Sequence, residues 1–236
     1  KIICNPNNTQ SGSQYIFNQL VNSQFSNKKF LELFQYSRNK GLYVGATPFD
    51  LKSLKFLNDN INKIDFIKIG SPDFENVPLI KKAIKKKKFI ILSTGMNDEI
   101  EIKKIFSLIK FDKNLTAFLH CCSSYPASES EINLKFINKL KKITSCLVGY
   151  SGHEKGFLPS LMSIYFGAKI VERHITTDKN MIGPDHTSSL NVNEFKKMVQ
   201  VIRNIEKMPR KKILSFLLKN FNVNKNSVFV GSGNKI

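Results

Sequence analysis

The chain has 236 residues and 41% of them are hydrophobic, which suits one large domain with a sizeable core, or a piece of a larger protein. No apolar run is long enough to span a membrane, no signal pattern begins the chain, and its four cysteines form no disulfide framework, which favours a reduced, cytoplasmic protein. The net charge of +19 is carried by lysines spread through helix-like segments without a nucleic-acid-binding motif, and it indicates solvated surfaces that attract an anionic substrate rather than nucleic acid.

Short apolar runs alternate along the chain with longer amphipathic ones. The predicted strands are residues 42–47, 66–70, 89–93, 117–121, 147–151 and 169–175. The predicted helices are residues 50–60, 78–86, 98–109, 132–140, 157–166 and 193–206, and a helix-like stretch at 28–39 follows an irregular start at 5–27. This strict alternation predicts a parallel α/β fold.

The ends of the predicted strands favour a barrel over an open sheet. No glycine-rich dinucleotide fingerprint follows a strand, which removes the main support for a Rossmann fold. Polar residues instead follow almost every strand, as in a TIM barrel, whose site is assembled at the carboxyl ends of many strands. Because a closed barrel has eight strands, we expect an incomplete (β/α)8 TIM barrel, with about six of eight strand–helix units, over residues 1–208. Residues 209–236 are predicted to be a linker, with a helical part at 212–219 and an apolar triplet at 228–230 that could begin another domain.

Two histidines stand near the ends of consecutive predicted strands. His153 ends Leu-Val-Gly-Tyr-Ser-Gly-His and His174 ends Ile-Val-Glu-Arg-His, 21 residues later (174 − 153), which suits one strand–helix–strand unit. Two imidazoles on adjacent strands can hold one divalent metal, although a histidine in a strand is often simply packed and hydrogen-bonded. Glu172 shares a strand face with His174, where it could orient the ring, bind a substrate, or pair with a neighbouring cation.

A lysine and several serines occupy corresponding positions on the other strands. Lys68 lies inside an apolar run, where an ammonium group needs a carboxylate or an anionic ligand. Hydroxyl groups follow at the strand ends, from Ser71, Ser93, Ser123 and Ser151. Together these groups would suit a phosphate or a carboxylate, whereas each serine taken alone is more often structural.

Two loop residues complete the candidate set. Tyr125 follows a predicted strand and could close over a ligand or pack structurally. Asp185 lies in the Gly-Pro-Asp-His segment at 183–186, a position that suits catalysis, although turn chemistry alone would favour the same residues. Cys121 and Cys122 are expected to pack rather than react, because no base is evident beside them.

The order of these motifs resembles the sialic acid (N-acetylneuraminate) synthases and their relatives for legionaminic and pseudaminic acids. The resemblance extends over about residues 13–207. It rests on Thr47-Pro-Phe-Asp50, Ile67-Lys-Ile-Gly-Ser71, Asn76-Val-Pro-Leu79, Ile91-Leu-Ser-Thr-Gly-Met96, Leu119-His-Cys-Cys-Ser-Ser-Tyr-Pro126, Val148-Gly-Tyr-Ser-Gly-His153, Val171-Glu-Arg-His174 and Gly183-Pro-Asp-His186. No single motif is specific to this family, but the ordered combination is.

The resemblance implies a TIM barrel that condenses phosphoenolpyruvate with an N-acetylated hexose, such as N-acetylmannosamine, to a nonulosonic acid and phosphate. It implies that His153 and His174 bind a divalent metal, usually manganese, with magnesium or cobalt as alternatives. It implies that the positions around phosphoenolpyruvate are Lys68, Ser71, Ser93, Ser123 and Ser151, and that those near the acceptor sugar or the reacting centre are Tyr125, Glu172 and Asp185. It also implies a homodimer, in which a C-terminal antifreeze-like domain covers the partner's site.

Some features of the resembled family do not occur in this sequence. The glutamate of an Ala-Glu-Ile-Gly-type first strand is absent, as are the lysine before Phe-Gln in the second strand and the antifreeze-like domain, unless residues 226–230 begin it. We therefore expect this polypeptide alone to be weakly active or inactive. The competing interpretations are another phosphoenolpyruvate-dependent aldol-type synthase, and a non-catalytic remnant or interaction subunit of a split synthase.

Overall fold

The computed structural model describes residues 24–221. The chain divides into two compact units, Lys1–Val44 and Gly45–Ile236. Most of the irregular start predicted at 5–27 lies outside the described residues, and so does the predicted apolar strand at 226–230.

In the described part of the first unit, helix α1 spans Asn27–Asn39 and agrees with the helix predicted there. It begins where the Ser26 side chain accepts a hydrogen bond from the backbone N–H of Lys29. The rings of Phe30 and Phe34 meet one turn apart, with centroids at 6.1 Å, and Phe34 is buried. Aromatic packing on one face therefore supports this helix.

Within the described residues, the second unit contains six strands and seven α-helices. The strands are β1 (Gly45–Ala46), β2 (Phe66–Ile69), β3 (Phe89–Ser93), β4 (Thr116–Cys121), β5 (Leu147–Gly152) and β6 (Ile170–Arg173). The helices are α2 (Leu51–Asp59), α3 (Val77–Ile84), α4 (Glu99–Leu108), α5 (Phe136–Thr144), α6 (Leu158–Tyr165), α7 (Val192–Glu206) and α8 (Arg210–Asn220), with 3₁₀ turns at Ile61–Lys63 and Ser71–Asp73. All strands are parallel and pair in chain order, so a helical crossover connects each neighbouring pair.

The sheet curves strongly enough to bring distant strands together. Lys68 on β2 and Glu172 on β6 form an ion pair, although four strand steps of about 4.8 Å, roughly 19 Å in total, separate their strands along the sheet. A flat sheet could not bring these two side chains into contact, so they lie on its concave face. The six strands thus form a half-barrel, and the expected incomplete (β/α)8 TIM barrel is confirmed.

The convex face of the sheet carries the hydrophobic core, because side chains alternate between the two faces along each strand. Phe118 on β4 is fully buried, and its ring contacts those of Phe74, Phe106 and Phe111 at centroid distances of 5.3 to 6.3 Å. Such edge-to-face aromatic packing adds to the stabilisation that comes from burial alone. The core therefore holds the strands in place, while on the concave face apolar side chains such as Leu119 give way to polar groups at the carboxyl ends of the strands.

Two helices begin with reciprocal hydrogen bonds between side chain and backbone. At the start of α4, Asp98 accepts from the backbone of Glu101 at 2.8 Å, and Glu101 accepts from the backbone of Asp98 at 2.7 Å. Asn191 and Glu194 repeat this arrangement at the start of α7, with both distances at 2.9 Å. Each capping box satisfies two backbone donors that a helix start would otherwise leave unpaired.

Two predicted elements differ from the structure by more than two residues at an end, while the others agree within one or two residues. The first strand is reduced to Gly45–Ala46, because among the described strands it pairs on one side only. The helix predicted at 132–140 begins at Phe136 instead, because the preceding residues form turns. The buried side chains of Ile132 and Leu134 in those turns imitate the apolar pattern of a helix.

Helix α8 confirms the helical stretch predicted after residue 208. It packs against α6, where Arg210 Nε donates to the carbonyl oxygen of Tyr165 at 3.2 Å, and it buries Ile213 and Leu217. The domain boundary between residues 208 and 209 stays a prediction. Among residues 24–221, no helix combines the length and apolarity that crossing a membrane requires.

Candidate active site

Polar side chains gather on the concave face of the half-barrel, at the carboxyl ends of its strands. In the strand register, Cys121 on β4 lies opposite Ser151 on β5, and Ser151 lies opposite Glu172 on β6. His153 and His174 each directly follow the last residue of their strand. The alternation of side chains places all five residues on the same face, which is the end of the barrel where TIM-barrel enzymes carry their chemistry.

The Glu172 carboxylate joins three strands of the site. Its Oε1 accepts hydrogen bonds from Lys68 Nζ and from Ser151 Oγ, the latter at 2.7 Å. The side chains of Lys68 and Glu172 remain 19% and 33% exposed. The ammonium group therefore has the carboxylate partner that its place in an apolar strand requires, and it stays accessible to an anionic ligand.

Polar groups surround Gly95, just beyond the end of β3. The backbone N–H of Gly95 donates to Cys121 Sγ at 3.1 Å, and that sulfur lies 3.3 Å from Ser71 Oγ. A methyl group at position 95 would lie 2.6 Å from Cys121 Sγ and 2.9 Å from Ser71 Oγ, and it would collide with the hydroxyl of Ser123. Glycine therefore keeps open a small polar cradle formed by Ser71, Gly95, Cys121 and Ser123, which we call the Gly95 cradle.

The hydroxyl of Ser93, on the last residue of β3, is buried without a hydrogen-bond partner among the described residues. Ser93 lies opposite Leu119 on β4, two residues before Cys121. A buried polar group without a partner is costly, and most such groups in proteins are satisfied by water or a ligand. Ser93 thus adds a third hydroxyl to those of Ser71 and Ser123 on this side of the site.

The two histidine rings face each other at the rim, with centroids 5.5 Å apart. His153 Nδ1 lies 2.6 Å from the carbonyl oxygen of Cys122. Since a carbonyl oxygen only accepts hydrogen bonds, Nδ1 carries the proton and Nε2 keeps its lone pair. Burial lowers the pKa of His153, while the Cys122 carbonyl acts in the opposite direction, so the ring is neutral near pH 7.

Tyr125 covers the histidine pair. Its ring stacks on that of His153 at 4.1 Å and meets His174 edge-on at 5.8 Å, and its hydroxyl lies 3.1 Å from His153 Nε2. Burial raises the pKa of Tyr125 to about 12, and the negative charge of Asp185 is among the groups that raise it further. The phenol therefore stays protonated at neutral pH and can donate a hydrogen bond.

The loops that carry Tyr125 and Asp185 are attached to the two histidines through the backbone. The N–H of Ala127, two residues after Tyr125, donates to the carbonyl oxygen of His153 at 3.0 Å, and the N–H of Leu190 donates to that of His174 at 2.9 Å. In the second loop, the Asp185 carbonyl oxygen accepts from two serine hydroxyls, at 2.8 and 3.0 Å. Backbone hydrogen bonds thus fix each loop to the histidine beside it.

The site offers two imidazole ligands to the divalent metal that the sequence suggests. Among residues 24–221, no group of three or more His, Cys, Asp and Glu side chains is arranged to hold a metal ion. Two adjacent imidazoles are present, and that of His153 presents an unprotonated Nε2. Two nitrogen ligands leave the other coordination positions to water or substrate oxygen, which Mn²⁺ accepts. The residues fit such a metal as a partial site.

Most of the predicted site residues come together in this region. Direct contacts join Lys68, Ser151, Glu172, Tyr125, His153 and His174, while Ser71 and Ser123 belong to the Gly95 cradle and Ser93 lies two residues before Gly95. Asp185 affects the site through its negative charge, which is among the groups that raise the pKa of Tyr125. Sequence reasoning missed the Cys122 carbonyl and Gly95, although a glycine two residues after a strand was a usable signal for the second.

A third histidine of the region, His120, lies outside the site. It is on the convex face of β4, where its ring contacts those of Phe136 and Tyr150 at 5.3 and 6.1 Å. Its Nε2 has no hydrogen-bond partner among the described residues, and burial lowers its pKa to about 4. His120 is therefore a neutral residue of the core.

Comparison with known proteins shows the family of the chain. Residues 4–213 match the NeuB family. The chain belongs to the NeuB family. It is 40% identical over 184 residues to an N,N'-diacetyllegionaminic acid synthase of Campylobacter jejuni, a match that covers 76% of this chain and 54% of that protein. It is 34% identical over 195 residues to the human N-acetylneuraminate-9-phosphate synthase, covering 81% of this chain and 54% of that protein.

The structure supports the same relationship. It superposes on the crystal structure of an N-acetylneuraminic acid (sialic acid) synthetase from Leptospira borgpetersenii with a TM-score of 0.72 and 32% sequence identity, covering 85% of this chain and 73% of that one. The chain spans about half the length of the curated relatives it matches.

Proposed function

We propose that this NeuB-family chain carries the site of a metal-dependent synthase, which condenses phosphoenolpyruvate with an N-acetylated hexose to a nonulosonic, sialic-type acid and phosphate. One observation carries the proposal: the Lys68–Glu172 ion pair lies on the concave face, and Ser151 joins its carboxylate to the rim where His153 and His174 meet. In the proposal, the Lys68 ammonium group binds an anionic substrate and the two imidazoles bind a metal. Both are close enough to act on the same two substrates.

Phosphoenolpyruvate suits the interior of the site. It carries a phosphate and a carboxylate, and both are recognised by ammonium groups and hydroxyl donors. Lys68 supplies the ammonium group, and the hydroxyls come from Ser71, Ser93, Ser123 and Ser151. In the proposed complex these groups hold the phosphate and stabilise the charge that develops as it leaves.

The acceptor sugar suits the rim, close to Tyr125, Glu172 and Asp185. In the proposed reaction, the C3 carbon of phosphoenolpyruvate forms a bond to the aldehyde carbon of the open-chain sugar, and water adds to C2. The C2–oxygen bond to phosphate then breaks. In this proposal Glu172 orients the water or the new hydroxyl, and Tyr125 donates a hydrogen bond, which its protonated phenol supports.

His153 and His174 are the residues that would hold the metal, with Mn²⁺ as the first choice and Mg²⁺ or Co²⁺ as alternatives. When bound, a divalent cation at this place supplies Lewis-acid polarisation of the sugar aldehyde. The backbone carbonyl of Cys122 keeps the His153 ring in the tautomer that a metal requires.

The experiment that tests the proposal has a binding part and a turnover part. Phosphoenolpyruvate binding is measured calorimetrically with and without Mn²⁺, and Lys68→Met should abolish it whereas Lys155→Gln, at an exposed position, should not. Turnover is followed by phosphate release and by mass spectrometry of the product. Unchanged binding in Lys68→Met would contradict the proposal.

The acceptor is identified with the same assay. The names of the two curated relatives differ in whether the product carries a phosphate, so N-acetylmannosamine and its 6-phosphate should be compared directly. We expect weak turnover, because β1 and β6 each pair with only one strand within residues 24–221 and leave the half-barrel open. Turnover typical of the median enzyme, about 10 per second, would overturn that expectation.

Two further parts of the proposal concern the state of the protein. A cytoplasmic location suits the cysteines at positions 121, 122 and 146, which are all free thiols. A homodimer is proposed on the family resemblance, and sedimentation velocity would test it. A monomer at micromolar concentration would contradict the dimer without affecting the proposed chemistry.

A further inference from the structure

A second ion pair, on the convex face of the sheet, connects the two strands that carry the histidines. Arg173 on β6 donates from Nη1 to Glu154 Oε1 at 2.8 Å, and the two side chains are 0% and 2% exposed. Each of the paired residues is a chain neighbour of one histidine, since Glu154 follows His153 and Arg173 precedes His174. The pair therefore joins the strand ends on the face opposite the imidazoles.

The pair is embedded in a dense set of hydrogen bonds. The Glu154 carboxylate also accepts from Tyr150 at 2.9 Å and from Ser160 at 2.8 Å. The guanidinium of Arg173 also donates to the backbone carbonyl oxygens of Glu154 at 2.7 Å and Ser188 at 2.9 Å. Arg173 thus contacts the backbone directly after His153 and the loop that leads from Asp185 to Leu190.

The sequence makes room for the pair at Gly152. In the strand register, Gly152 lies directly opposite Arg173. A methyl group at position 152 would lie 2.6 Å from Glu154 Oε2 and 2.9 Å from Arg173 Cδ. Only glycine allows the Glu154 side chain to fold back over the strand and meet the guanidinium.

We propose that Glu154 and Arg173 are positioning residues, which set the separation and orientation of His153 and His174 from the opposite face of the sheet. Rigidity is the physical basis of this role. The Glu154 carboxylate and the two terminal nitrogens of the Arg173 guanidinium are buried and hydrogen-bonded, while Arg173 Nε has no partner among the described residues. Any shift of one strand end against the other would break charged hydrogen bonds in a dry environment. The part of this inference that concerns metal affinity rests on the proposed function.

A merely stabilising role is the alternative, and a double variant separates the two. Glu154→Leu/Arg173→Met replaces the ion pair with apolar side chains of similar size, a change that commonly leaves stability intact. Thr144→Val is the matched control, because Thr144 is equally buried and hydrogen-bonded, in α5, and has no contact with the histidines.

The first measurement uses the metal-free chain. Long-range ¹H–¹⁵N spectra of the imidazoles should show the protonated-Nδ1 form of His153 in the unaltered chain and in Thr144→Val. The double variant should give a mixture of the two neutral forms. A pure Nδ1-protonated form in a folded double variant would overturn the positioning role, whatever the metal does.

The second measurement titrates Mn²⁺ alone against each chain and follows the free ion by electron paramagnetic resonance. We expect affinity about 10–100-fold weaker in the double variant, as when supporting residues of other metal ligands are removed, and unchanged in Thr144→Val. Equal affinity in all three chains would overturn the inference. If the unaltered chain binds no Mn²⁺ but the imidazole spectra still change, the positioning role stands and the metal in the proposed function is wrong.

Discussion

Two consecutive residues of β6 form two very different ion pairs. Glu172 points to the concave face and pairs with Lys68, and about a fifth to a third of these side chains remains exposed. Arg173 points to the convex face and pairs with Glu154 in an almost completely dry environment. One strand can therefore serve two purposes, because an ion pair on the face with access to solvent can exchange partners with a ligand and one on the dry face cannot.

Breaking the dry pair should give the largest effect on stability. Arg173→Met leaves the Glu154 carboxylate buried without its cation, and we expect the free energy of unfolding to fall by about 3–5 kcal/mol. Urea denaturation measures this change. Adding Glu154→Leu in the same chain should restore most of the loss, and a double variant as unstable as the single one would contradict this account.

Breaking the hydrated pair should affect activity rather than stability. We expect Lys68→Met to lower kcat/KM by about 10²–10³-fold, as when one charge-stabilising donor is removed from an active site. The free energy of unfolding should change by about 1 kcal/mol or less, because Glu172 remains partly exposed and bonded to Ser151. A stability loss equal to that of Arg173→Met would remove the distinction between the two pairs.

His120, on the convex face, should also make the stability of the protein depend on pH. His120 has a pKa of about 4 in the folded chain, against 6.5 for an ordinary histidine, so the unfolded chain takes up the proton first as pH falls. The stabilisation that depends on neutral His120 is complete above pH 6.5. As pH falls from 6.5 to about 4 it is lost, and the free energy of unfolding decreases by about 3 kcal/mol. Urea denaturation between pH 6.5 and 4 should show that the free energy of unfolding depends less on pH in His120→Leu than in the unaltered chain. An unchanged pH dependence would contradict the assignment of this loss to His120.

On the concave face, Gly95 offers a smaller and more local change. Gly95→Ala places a methyl group among Ser71, Cys121 and Ser123, and we expect a loss of about 1–3 kcal/mol of stability together with weaker phosphoenolpyruvate binding. Calorimetry measures the binding. Gly70→Ala is the control, since a methyl group there meets nothing closer than 3.7 Å. Equal effects at both glycines would show that the cradle has no special role.

Much of the fold could be predicted from the sequence, because apolar runs and helix caps are local signals. The alternation of strands and helices and the start of α4 at Asp98 followed from residues close together in the chain. The helix predicted at 132–140 was misplaced because Ile132 and Leu134 are buried in turns, and burial by residues distant in the chain leaves no local mark.

The residues of the site could be predicted from the sequence, but the contacts between them could not. The parity of strand residues correctly placed Glu172 with His174 on one face. The contact of Glu172 with Lys68 depends on the curvature of the whole sheet, across 104 positions of the chain, and no local pattern encodes it. The Cys122 carbonyl was missed for a related reason, since every residue has such a group and only the fold selects one.

The backbone hydrogen bonds from Ala127 to His153 and from Leu190 to His174 have a consequence for how the loops of this site can change. Because the peptide groups of the two histidines also anchor the loops that carry Tyr125 and Asp185, lengthening either loop close to its anchor would disturb both the loop and the histidine. Under the proposed function, changes in sugar preference are then easier to reach by exchanging side chains at fixed loop length. Insertions would be tolerated farther out, as in the exposed stretch at 128–131, where no such anchor exists among the described residues.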